Sequence, residues 1–305
     1  MKTQMKAANS VLCMRLLVSL GLLICIASCR KPEPRLFTVG SKSTAEQVFL
    51  AEVAAQHLEH RLGIKVARKF NWGETVSVHT GLVGSEIDAY PEYGCTAISV
   101  ILRVDSVTDR DVILERVRDE YRNRYRAIWL DPLGFDSRFR VGVLKIDQAK
   151  FKLVKLSDLR RREEGWRPGM SRDIRSRTDG FALLDANYDF NLRTAPAALD
   201  PTMFARALSE NKIDLLLAES TDPLWARDDL VQLEDDARAF PPCEASFVLR
   251  TDADQAYPGV LRALGELSGK FTLAEVQEAN RRVSEGRAGV ESVADRFLRN
   301  VGLLK

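Results

Sequence analysis

An α/β chain, with mainly parallel sheets flanked by helices and divided between two compact halves, is the fold class the sequence predicts. Three observations carry it. Strand-like and helix-like stretches alternate from Leu36 onward. An Ile-Asp pair follows a helix and opens a strand in each half. The length, 305 residues, suits about two domains on a prior of ~100–200 residues each.

Leu36 to Gly40 is a short apolar run ending in glycine, a strand. Ser43 or Thr44, with Glu46 and Gln47 three residues on, opens a helix by a capping box. Ala51, Ala55, Leu58 and Leu62 keep helical spacing, and Gly63 stops the helix. Ile64, Val66, Arg68 and Phe70 alternate with Lys65, Ala67 and Lys69 as a strand. A helix from Thr75 to about Gly84 leads into the strand Ile87-Asp88-Ala89-Tyr90. The middle repeats the theme: a strand at Arg140 to Leu144, helices at Leu156 to Arg162 and Met203 to Asn211, and a strand at Lys212 to Leu217 that carries Ile213-Asp214. Polar clusters follow both Ile-Asp strands, Pro91-Glu92-Tyr93 and Glu219-Ser220-Thr221-Asp222. Ligands of open α/β sheets bind beyond the carboxyl ends of strands, so two such ends facing one another would make a cleft. Phe271 to Leu304 reads as two amphipathic helices split by Gly286.

The composition is that of an ordinary globular protein, 45% hydrophobic and 29% charged. A net charge of +2 gives no field to recruit nucleic acid. Residues 1–28 are different material: Lys2, Lys6 and Arg15 precede an uncharged, mostly apolar run, Leu16 to Ser28, too short to span a bilayer as a helix. This is a secretory signal. Its end, Ile26-Ala27-Ser28-Cys29, resembles the lipobox of bacterial lipoproteins, so Cys29 is the expected lipidation site. Cleavage there removes three positive charges and no negative one, taking the net charge from +2 to −1. Residues 29–35, with Pro32 and Pro34, form a short stiff tether. With Cys13 and Cys25 lost and Cys29 acylated, Cys95 and Cys243 remain. An oxidising compartment permits them to pair, but their positions say nothing about geometry. His57, His60 and His79 show no metal-ligand spacing, and His57 and His60 are expected on a helix surface. The absence of a Gly-x-Ser-x-Gly elbow and the thin supply of His and Ser argue against a hydrolase.

Val39-Gly40-Ser41-Lys42, Glu46-Gln47, Tyr90-Pro91-Glu92-Tyr93, Arg177-Thr178-Asp179-Gly180, Ser220-Thr221-Asp222 and Phe240-Pro241-Pro242 occur in the order that resembles the substrate-binding proteins of glycine betaine/carnitine/choline ABC importers. Trp129 to Phe135 and Phe271 to Leu304 are similar to that family as well. The resemblance implies a two-lobed, hinge-closing periplasmic-binding-protein fold of type II. Residues 36–138 with 240–305 would form lobe I and residues 139–239 lobe II, with crossovers near 134–140 and 236–242. It also implies a monomeric, exported protein with no catalytic residue, no cofactor and no metal. The protein would be lipid-anchored and face the periplasm or cell exterior, with ABC permease subunits as partners.

In that family a box of aromatic rings holds a quaternary ammonium head, and Lys, Arg and Thr groups hold a carboxylate. Carried over, Lys42, Thr96 and Arg177 keep the carboxylate side. The box is altered: Tyr93 matches one ring, Phe139 stands where a Tyr is usual, and Glu219 and Cys243 replace two further aromatics. Each lost cation–π contact is worth ~0.5–2 kcal/mol. Glu219 suits a ligand with an N–H donor, or else pairs with a cation across the cleft. Trp72, Tyr90 and Trp225 could supply replacement rings. The implied ligand is therefore a quaternary ammonium, amine or amino-acid-like small molecule. A ligand-sensing lipoprotein reporting to a membrane receptor is the alternative role.

Overall fold

The computed structural model describes residues 35–104, 107–286 and 288–304. The leader 1–28, the lipidation site Cys29 and the tether as far as residue 34 lie outside the described residues. Chain order is β1 (Phe37–Gly40), α1 (Ala45–Leu62), β2 (Val66–Lys69), α2 (Thr75–Val83), β3 (Ala89–Tyr93), α3 (Arg110–Tyr125) and β4 (Ala127–Trp129). There follow β5 (Phe139–Leu144), β6 (Pro168–Met170), β7 (Ala197–Ala198), α4 (Phe204–Ser209), β8 (Leu215–Glu219) and β9 (Leu230–Gln232). The chain closes with β10 (Ala245–Arg250), α5 (Leu273–Ser284) and α6 (Val290–Asn300), with several shorter helical turns between elements.

The strands form two five-stranded sheets, ordered β2-β1-β3-β10-β4 and β7-β6-β8-β5-β9. Each is mixed in the same way. β1 pairs in parallel with β2 and β3, while β10 enters antiparallel between β3 and β4. In the second sheet β6 pairs in parallel with β7 and β8, and β5 enters antiparallel between β8 and β9. The one antiparallel strand in each sheet is the first strand after the chain crosses from the other sheet. The expectation of mainly parallel sheets thus holds for strand direction, with a single reversal in each.

Local chemistry explains most elements. Thr44 caps α1, its hydroxyl accepting from Gln47 N at 3.3 Å, and Gly63 ends it in the left-handed conformation at φ 66°. The recurring Ile-Asp has one job in both halves. Asp88 Oδ2 accepts from Thr38 N at 2.8 Å and Asp88 N donates to Thr38 O at 2.7 Å. Asp214 Oδ1 likewise accepts from Arg167 N at 2.7 Å, and Asp214 N donates to Arg167 O at 3.1 Å. Each Asp therefore locks the register of the strand it precedes onto the parallel neighbour.

The first core packs α1, α5 and α6 on the first sheet. Phe49 meets Phe271 and Phe297 edge-on, and Phe271 stacks on Phe297 at 4.2 Å between centroids. Each such ring contributes ~1.5–3 kcal/mol of burial. On the other face of that sheet, Tyr90, Tyr121 and Trp129 centre a second cluster. Trp166 anchors the core of the second sheet. At Gly134, on the way to β5, an added Cβ would lie 2.6 Å from Phe271 O, so only glycine fits.

Some local expectations are corrected. The helix expected from Leu156 is present as a 3₁₀-helix over Leu156–Arg161, and the one expected from Met203 begins with a 3₁₀ turn under an Asp200 cap. His60 is exposed, as expected, but His57 is buried, with Nε2 3.2 Å from Glu266 Oε2. Burial first, and Arg61, lower the His57 pKa, against the opposing pull of Glu266.

Candidate functional site

The polar residues beyond the carboxyl ends of β1, β3 and β8 meet in one place. Lys42 lies two residues past β1 and is buried. Its ammonium pairs with Glu92 of β3 and stands 5.2 Å from the centroid of the Tyr93 ring. Tyr93 closes β3, and its hydroxyl donates to Glu46 Oε1 in the first turn of α1. Glu46 Oε2 accepts from Asn280 Nδ2 of α5 at 2.9 Å, and the same nitrogen donates to Thr221 O at 3.1 Å. Burial foremost, then Glu46 and Glu219, push the Tyr93 phenol pKa well up. It stays a donor.

From the second sheet come Phe139, Arg177 and Glu219. Phe139 opens β5 directly opposite Glu219, the last residue of β8. Arg177 forks onto Asp179, Nε to Oδ1 at 2.8 Å and Nη2 to Oδ2 at 2.7 Å. It also reaches Thr96 Oγ1 at 3.1 Å and lies 5.1 Å from the Phe139 ring centroid. Burial works to lower the Arg177 pKa, but the Asp179 bonds outweigh it and hold the group firmly charged. Ser99 Oγ donates to Asp179 Oδ2 at 2.9 Å.

Glu219 is the unusual group. Burial raises its pKa to about 7, Asp222 and Glu46 push the same way, and Arg177 pulls against them. Asp222 is raised to about 6, by burial first and then by Glu46. Three carboxyls thus crowd the region without an ion-paired Lys or Arg among the described residues, since Lys42 and Arg177 are engaged by Glu92 and by Asp179 and Asp173.

Cys95 and Cys243 form a disulfide, and Cys95 Sγ lies 3.6 Å from Thr96 Oγ1. Cys243 N donates to Asp136 Oδ1 at 3.0 Å, and Ser220 Oγ donates to Asp136 O at 2.6 Å. The two chain crossings are therefore tied to one another and to the end of β8. All the residues predicted to bind ligand (Lys42, Tyr93, Thr96, Phe139, Arg177, Glu219 and Cys243) fall within this one connected cluster.

The replacement rings do not join it equally. Tyr90 is fully buried in the core with Tyr121 and Trp129. Trp72 carries Lys69 at 4.4 Å. Trp225 backs the site, its Nε1 donating to Glu219 O at 2.6 Å. Sequence reasoning gave no binding role to Glu46, Asp179, Asp222 or Asn280. The first three sit inside motifs already quoted; Asn280 lies on the first of the two amphipathic helices expected over Phe271 to Leu304. Among the described residues no group of three His, Cys, Asp or Glu could hold a metal ion.

Residues 37–300 match the family model described as the substrate binding domain of ABC-type glycine betaine transport system. The chain is 29% identical over 272 residues to the ergothioneine transport permease/ergothioneine binding protein EgtU of Helicobacter pylori (strain G27); the match covers 89% of this chain and 48% of that protein, about half its length. It is 25% identical over 262 residues to the carnitine transport binding protein OpuCC of Listeria monocytogenes serotype 1/2a (strain 10403S), covering 85% of each. Among solved structures, a glycine betaine/carnitine/choline ABC transporter protein superposes with a TM-score of 0.76 at 24% identity, over 88% of this chain and 99% of that one. Apo YehZ of Escherichia coli follows at 0.69 and 22%, over 88% and 99%. These two likenesses carry the fold.

Proposed function

This chain belongs to the family of substrate-binding domains of ABC-type glycine betaine transport systems, and on that premise we propose that it captures a small zwitterionic or cationic solute outside the cytoplasm and delivers it to ABC permease subunits. It is a solute-binding protein and not an enzyme. The observation that carries the ligand reading is the convergence of Lys42, Tyr93 and Thr96 from the first sheet with Arg177, Phe139 and Glu219 from the second. The side chains come from both sheets, so a ligand among them favours the two halves held together over the two halves apart. Closure by hinge motion would then report occupancy to the permease.

Residues 36–138 with 240–305 act as one lobe and 139–239 as the other, hinged where Asp136, Ser220 and Cys243 are tied. Arg177 and Thr96 address the acidic end of the ligand, while Tyr93, Phe139 and Glu219 face its positive end. The names of the relatives, which bind carnitine and ergothioneine, support a ligand with both kinds of end. Cys29 carries the lipid that holds the protein at the membrane.

Thermal-shift and calorimetric titration against glycine betaine, choline, carnitine, ergothioneine, amino acids and polyamines tests the reading. A saturable, one-to-one binder among them is expected. Failure of every member removes the capture function.

A further inference from the structure

The hydrogen-bond acceptors of the site are better used by a cation that carries N–H groups than by a fully methylated one. A trimethylammonium head has no N–H to donate and is held best by ring faces. Here two of the expected rings are gone. One position is Glu219, and the other, Cys243, is bound up in the disulfide with Cys95. The groups present instead are acceptors. Glu219 lies within electrostatic range of Glu46, Asp222, Tyr93 and Arg177. Arg177 already holds Asp179 through two hydrogen bonds.

A second observation points the same way independently of the carboxylates. Asn280 is 6% exposed, and its Oδ1 has no hydrogen-bond partner among the described residues. Its orientation is fixed, because the amide nitrogen bonds two acceptors, Glu46 Oε2 and Thr221 O. The oxygen beside Glu46 is therefore a buried acceptor lacking a donor, and such groups are costly unless something supplies one.

Resting on the capture function above and sharpening it, we propose that the positive end of the ligand carries N–H donors, as in a primary or secondary ammonium, a guanidinium or a protonated ring nitrogen, with Glu219 and Glu46 as its acceptors. Glu219 is thus the residue that sets specificity, turning a site for methylated nitrogen into one for hydrogen-bearing nitrogen. The protein's own cations already use the two remaining rings, Lys42 at 5.2 Å from the Tyr93 centroid and Arg177 at 5.1 Å from that of Phe139, so the carboxylates and Asn280 Oδ1 are the groups offered to the hydrogens of a ligand cation. Aromatic faces also accept N–H cations, so the remaining rings do not oppose this.

Matched methylation series test it with the mature chain at pH 8. The probes are glycine through sarcosine and dimethylglycine to glycine betaine, ethanolamine to choline, and 4-aminobutyrate to its trimethylated betaine. Within a series only the N–H count and the methyl bulk change. Since a hydrogen bond to a charged group is worth ~1.5–3 kcal/mol, the amine should bind about 10- to 150-fold tighter than its trimethylated end member. Glu219→Gln, checked for an unchanged far-UV spectrum and cooperative melt, should flatten that preference to under about threefold. Tighter binding of the trimethylated member overturns the inference and leaves the capture function standing. A Glu219→Gln protein that keeps the full preference overturns the role given to Glu219. If no member of any series binds, the capture function itself fails and this inference falls with it.

Discussion

Arg177 Nη2 donates to Thr96 Oγ1 at 3.1 Å, joining the segment after β6 to the segment after β3. The same guanidinium is held in place by Asp179 and stands over Phe139. It is a pre-set fork between the two sheets. Arg177→Lys keeps the charge but loses the planar geometry. Affinity for carboxylate-bearing ligands should fall about 10- to 100-fold, with choline-type ligands much less affected. Calorimetry on the two ligand classes decides it, and equal losses would contradict the polarity assigned to the site.

Lys42 has a structural duty. Its buried pair with Glu92 means that Lys42→Ala leaves a carboxylate stranded inside the first sheet. Removing one partner of such a pair costs about 3–5 kcal/mol. Urea unfolding should show that loss, and the double variant Lys42→Met/Glu92→Leu should recover much of it. A single variant as stable as the parent would mean the pair is not formed.

The Cys95–Cys243 bond closes a long loop, its ends 148 positions apart in sequence. Such cross-links typically contribute ~2–4 kcal/mol. Cys95→Ser/Cys243→Ser should lower the melting temperature by roughly 5–15 °C, and reductant should do the same to the parent but nothing to the variant. The variant should also bind ligand more weakly, because Thr96 sits against the bridge. Free thiols found in the exported protein would remove this prediction.

Glu219 and Asp222 have pKa values raised to about 7 and about 6, from ordinary values of 4.5 and 3.8. The folded state therefore binds more protons than the unfolded chain between about pH 4 and 7, and these two groups make stability fall as pH rises through that range. Glu219→Gln should remove part of the slope, raising the melting temperature more at pH 8 than at pH 5. A cationic ligand favours the ionised carboxylates. Its affinity should strengthen from pH 5 to pH 8 and level off above. Pairs of melts and titrations at the two pH values measure both effects, and a flat pH response in the parent argues that Glu219 is solvated.

If Cys29 carries the proposed lipid, Cys29→Ala should remove the acyl mass and the membrane attachment that depends on it, read by mass spectrometry and fractionation. A membrane-bound Cys29→Ala protein would mean that something other than the lipid holds it.

Much of this molecule was legible from local patterns. The α1 cap at Thr44, the stop at Gly63 and the two Ile-Asp strands are decided within a few residues, and the paired Asp88 and Asp214 bonds give the repetition a physical cause. The antiparallel entry of β5 and β10 was not legible, because their partners lie far away in sequence. His57 misled for a related reason: it is buried through a contact 209 residues away in sequence, with Glu266. Motif order supplies the candidate binding residues through the family resemblance, but the placement of Glu46 and Asn280 depends on α5 returning over α1 and on the second sheet's Thr221 backbone meeting them. No spacing announces such a meeting.

The antiparallel strand β10 has a bearing on biogenesis. The second sheet draws every strand from residues 139–232, so it has all its parts early. The first sheet does not: β4 pairs with β10 alone, and α5 and α6 cover its core from the far end of the chain. Whatever the order of folding, the half that begins synthesis first is the last that can be finished.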